Sequence, residues 1–83
     1  MSLAEEGFKD GVVMAVEITA ALKRGDLQVV GRKAELYQRV SGRRIDRIIV
    51  VTAFIHDRNP ALVVAVAEKM GIKVVKPEEV HES

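Results

Sequence analysis

Ile48-Ile49-Val50-Val51-Thr52-Ala53-Phe54 is the stretch that most limits what this chain can fold into. The run is continuous, largely β-branched and bounded by charged residues, which suits a central strand of a sheet better than a helix. A second stretch, Val12-Val13-Met14-Ala15-Val16-Glu17-Ile18, reads as another strand, apolar enough to be buried on both faces. It follows Lys9-Asp10-Gly11, a tight-turn signal, so Ala4 to Phe8 is expected to be its antiparallel hairpin partner.

Between these strands lies a helix. Asp26 is placed to cap its first free amides, and apolar residues recur at Leu27, Val30, Ala34 and Tyr37, with Val29, Leu36 and Val40 beside them. Ser41-Gly42 ends it. After the central strand, Asn59-Pro60 gives a cap followed by proline at the first helical position, and Gly71 closes that second helix. Ile72-Lys73-Val74-Val75 is a short last strand stopped by Pro77, and the acidic tail is expected to fray. The order is hairpin, helix, strand, helix, strand, which predicts a single α/β domain spanning residues 1–83, with right-handed crossovers.

Composition limits the function classes. With 83 residues the private core is small, and with no cysteine no disulfide reinforces it. Two histidines without cysteine argue against a structural zinc site. Hydrophobic residues at 48% and charged residues at 30% exclude disorder. No apolar run approaches the ~20 residues of a membrane helix, and the start lacks the regions of a signal peptide, so the expected location is cytoplasmic, without a membrane partner.

The second helix, Ala61-Leu62-Val63-Val64-Ala65-Val66-Ala67, is apolar all round, whereas a helix on the outside of a small sheet needs one wet face. This predicts a homodimer interface through Leu62, Val63 and Val66. Charge is uneven as well. Residues 23–47 hold eight Lys and Arg against three acids, a balance of +5, while residues 1–22 carry −3. A basic middle beside an acidic start points to a phosphate-binding face next to metal-binding carboxylates; the plain alternative is a solvated helix.

Glu17 is the first candidate for chemistry, because a carboxylate in an apolar strand must be paired, metal-bound or, at a strand end, in water. Taken together, the Asp-Gly turn, the strand ending in Val16-Glu17-Ile18-Thr19, Lys23-Arg24-Gly25-Asp26 and Arg32-Lys33-Ala34-Glu35-Leu36-Tyr37 resemble the archaeal branch of the PD-(D/E)XK nuclease superfamily. The strand Ile48 to Thr52 and the ending Gly71-Ile72-Lys73-Val74 suit it too, so the resemblance covers roughly residues 5–76.

The resemblance implies a restriction-endonuclease-like core, a mixed sheet flanked by helices, and hydrolysis of DNA phosphodiesters with Mg²⁺ or Mn²⁺. It implies that Glu17 is the second-strand metal carboxylate and Glu5 the first, with Glu where Asp is usual. The lysine position of the motif is Thr19, which carries no charge; Lys33 on the first helix is the candidate displaced lysine, and Lys23 in the strand-to-helix loop is a second candidate. Lys23, Arg24, Arg32, Arg39, Arg43 and Arg44 are the candidate phosphate contacts. The helix that precedes the hairpin in the family has no counterpart in this sequence, so the chain reads as a fragment of a longer nuclease-like protein or a minimal form. A metal-dependent nuclease with weakened or lost activity is one reading. A non-catalytic dimerisation or nucleic-acid-binding module that keeps the fold is the other.

Other residues carry less. Gly25 and Gly31 form no phosphate loop, Ser41 lacks a nucleophile context, Asp46 and Asp57 mark strand ends, and His56-Asp57 reads as loop.

Overall fold

The computed structural model describes residues 2–7 and 13–79, with side chains for 13–78. The expected Asp10-Gly11 turn and the acidic tail beyond residue 79 lie outside the described residues. Strand β1 (Ser2–Gly7) pairs antiparallel with β2 (Val13–Leu22); helix α1 (Asp26–Ser41), strand β3 (Arg47–Ile55), helix α2 (Pro60–Lys69) and strand β4 (Ile72–Val75) follow. The sheet order is β1-β2-β3-β4, with β2, β3 and β4 parallel, and a short 3-10 turn (Pro77–Glu79) follows β4. This is the expected α/β architecture, consistent with a restriction-endonuclease-like core, and β3 is an inner strand.

Both crossovers step in the same direction across the sheet, and two right-handed crossovers of that kind place both helices on one face. One core therefore forms, from Leu27 and Val30 of α1, Val63 and Ala67 of α2, and Leu22, Val50 and Ile72 of the strands. Burial of β2 on both faces is accordingly not found: on the other face Val16, Ile49 and Val51 are only half-buried, and Ile18 is 62% exposed.

The same packing takes up part of the apolar surface of α2. Val63 is fully buried in the chain's own core and Val66 packs against it, leaving Leu62 as the exposed member of the predicted trio. In α1 the predicted face is buried at Leu27, Val30 and Ala34, while Tyr37 is half-buried and Val29, Leu36 and Val40 face solvent. Gly31 lets Met70 at the end of α2 approach closely: a Cβ there would meet Met70 Cε at 3.3 Å.

Capping follows the sequence in two places and departs from it in a third. Gly42 closes α1 at φ +72°, and Asn59 Oδ1 accepts the Leu62 amide at 3.2 Å. Asp26 does not cap α1. Its carboxylate accepts the Lys23 amide at 2.9 Å, closing the turn before the helix, because Asp26 is already the first helical residue.

Candidate nucleic-acid interface

β2 is longer than the apolar run suggests, and this decides the environment of Glu17. The strand continues through Thr19, Ala21 and Leu22 because β3 offers Thr52, Phe54 and Ile55 as ladder partners. Glu17 thus lies mid-strand, opposite Val50, on the helix-covered face, rather than at a strand end reaching water. Its side chain is 0% exposed, and among the described residues neither carboxylate oxygen has a hydrogen-bond partner. A carboxylate in that position is costly, since none of the described residues offsets its lost hydration.

Glu5 pairs with Ala15, and Leu3 is the residue opposite Glu17, so the backbone register makes Glu5 and Glu17 diagonal neighbours on the β1–β2 ladder. Thr19 is half-buried, and its hydroxyl donates to the Ala21 carbonyl at 3.2 Å. Lys33 is half-buried on α1, with no hydrogen bond to Glu17. Among the described residues no three His, Cys, Asp or Glu side chains converge on one point. A hard divalent cation takes about six oxygen ligands, several of them waters, so the sealed Glu17 carboxylate does not by itself make such a site.

The predicted phosphate contacts fall into two groups. Arg32 and Arg39 lie two helical turns apart on the outward side of α1, and Lys23 and Arg44 are exposed at its two ends, as is Arg43. Arg24 is different: its Nη2 and Nε donate to the two Asp57 carboxylate oxygens at 2.8 and 3.2 Å. That pair, and then the Asn59 amide, hold the Asp57 carboxyl below the usual carboxylate range. Arg24 is therefore engaged within the chain, and Asp57 is more than a strand-end marker. Asp46 likewise accepts the Val13 amide at 2.9 Å, joining the starts of β2 and β3. The Ser41 hydroxyl accepts the Arg43 amide at 3.1 Å, a helix-end role.

The sequence reading missed a cleft of about 540 Å³ at the carboxyl ends of β2 and β3, lined by Arg24, Phe54, His56, Asp57 and Arg58. The side-chain pattern changes at its threshold. Thr19 and Thr52 are ladder partners, and each hydroxyl donates to the carbonyl two residues on, Thr52 to Phe54 at 2.8 Å. Beyond them the inward–outward alternation lapses: Leu22 and Ile55 join the core, and Phe54 turns out, 56% exposed.

A family model described as the PD-(D/E)XK nuclease superfamily matches residues 8–73. The chain belongs to the PD-(D/E)XK nuclease superfamily. The match extends to the superfamily and singles out no archaeal branch. Comparison with curated proteins and with solved structures found no match. Among the described residues no helix is long and apolar enough to cross a membrane.

Proposed function

We propose that this superfamily member is a non-catalytic nucleic-acid-binding module that keeps the nuclease fold. The observation that carries this reading is Glu17: a carboxylate with no accessible surface cannot meet a solvated phosphodiester. Thr19, at the motif's lysine position, brings no positive charge to steady a developing anion. What remains for nucleic acid is the basic middle of the chain, with Lys23, Arg32, Arg39 and Arg44 on the surface. Their role is electrostatic, with affinity for the phosphate backbone set by counterion release.

The test is DNA affinity in EDTA as a function of salt. Binding is expected without any divalent metal, and Arg32→Ala and Arg39→Ala are each expected to flatten the slope of log K against log salt by about 1. An affinity that needs Mg²⁺, or that salt leaves unchanged, would contradict the proposal.

A second reading is metal-dependent hydrolysis of DNA, favoured by the two unpartnered Glu17 oxygens. It requires a rearrangement that uncovers Glu17 and brings a Lys33 or Lys23 ammonium to it, with Glu5 its diagonal neighbour on the ladder. Mn²⁺ calorimetry on the native chain and on Glu17→Ala separates the two: heat that disappears in the variant would favour this reading. Homodimerisation is a separate proposal, for which Leu62 is the exposed residue of α2. Sedimentation of Leu62→Lys beside the native chain tests it.

A further inference from the structure

We propose that the cleft at the carboxyl ends of β2 and β3 binds one unstacked nucleotide of a single-stranded nucleic acid, its base on Phe54 and its phosphate between His56 and Arg58. The inference deepens the nucleic-acid reading above and does not depend on Glu17 or on a metal.

The chain has only three aromatic residues, and Phe54 is more than half exposed. Its ring is the flat apolar surface among the residues lining the cleft, and nucleic-acid bases stack on such faces. The His56 ring lies 5.9 Å from it at 54°, so the wall is formed by two tilted rings rather than one mobile side chain.

The cleft is also pre-organised. Thr52 Oγ1 holds the Phe54 carbonyl, the His56 amide donates to the Leu22 carbonyl at 2.8 Å, and Asp57 Oδ1 accepts the Asn59 amide at 2.9 Å. Arg24 is clamped by Asp57, and that pair neutralises the acid among the described residues lining the cleft. That leaves the exposed Arg58 guanidinium and the His56 ring to meet an anion. The volume of about 540 Å³ is within the ~300–1,000 Å³ of ligand pockets. A base still stacked in a duplex cannot lay its face on Phe54. The ligand chemistry is therefore an unpaired base with its phosphate, supplied by a strand or by a free nucleotide.

Fluorescence anisotropy with labelled dT12, the matching duplex and competing thymidine monophosphate distinguishes these sources. Phe54→Ala is expected to weaken dT12 binding by about tenfold or more while leaving duplex affinity and the salt slope unchanged. Phe54→Tyr should restore dT12 affinity. Arg58→Ala should flatten the dT12 salt slope by about 1. Unchanged dT12 binding by Phe54→Ala, with salt-dependent binding intact, would overturn this site and leave the general reading standing. Monophosphate that binds while dT12 fails to compete would overturn the strand assignment. Absence of any binding by the native chain would overturn both.

Discussion

Glu17 and Phe54 reverse the usual placement of their residue types within one pair of neighbouring strands. The carboxylate is 0% exposed, with no partner among the described residues, and the ring is 56% exposed. Around Glu17 the sheet is roofed by helices, and the acid is sealed beneath them. Around Phe54 the sheet ends in an open cleft with fixed backbone and basic rims. On the account proposed here, the mid-strand position has lost access to substrate, and the strand ends offer the binding chemistry. Family membership and site chemistry thus separate: the fold carries one, and access to particular side chains decides the other.

The largest expected effect comes from loosening the roof. Leu27 is 1% exposed and anchors α1, so Leu27→Ala should cost about 2–5 kcal/mol, a large part of a small domain's stability. Urea unfolding measures it, and a loss below about 0.5 kcal/mol would mean that α1 does not seal the face as described. Next comes Glu17→Leu, which replaces an unpartnered buried acid by an apolar side chain of similar size. It should stabilise the chain by about 1–3 kcal/mol. Destabilisation instead would mean that Glu17 has a partner holding it, and would weaken the contrast with Phe54.

At the cleft the expected effects are smaller. Asn59→Ala removes the α2 cap and should cost about 1 kcal/mol by thermal unfolding. The smallest is a pH effect. The folded-state carboxyl of Asp57 lies below its ordinary value of 3.8, so its stabilisation is present above that pH and is lost as pH falls through the lowered folded value. Acid unfolding curves of the native chain and Asp57→Asn should therefore separate above pH 3.8 and converge below it. Parallel curves throughout would show that the Arg24 pair does not bind the cleft's floor.

Much of the fold was legible in local signals. The β-branched run gave β3, Gly42 and Asn59-Pro60 marked helix ends, and Ile72 to Val75 matched β4 residue for residue. The end of β2 was not legible, because Thr-Ala-Ala-Leu has little strand propensity of its own and is extended only by pairing with β3. That miss placed Glu17 at a strand end and so in water. The Arg24–Asp57 pair joins residues 33 apart in sequence, and no local pattern predicts such a contact. The single helical face was hidden too. An apolar strand reads the same whether both faces are covered or one, and only the strand order decides which.

The most direct test of the central claim is a supercoiled plasmid incubated with the native chain and Mn²⁺, with Glu17→Ala alongside, resolved on one gel. The account predicts a mobility shift by both proteins and intact supercoiled DNA after the protein is removed. Nicking by the native chain that Glu17→Ala abolishes would contradict it, and would make Glu17 a working metal carboxylate.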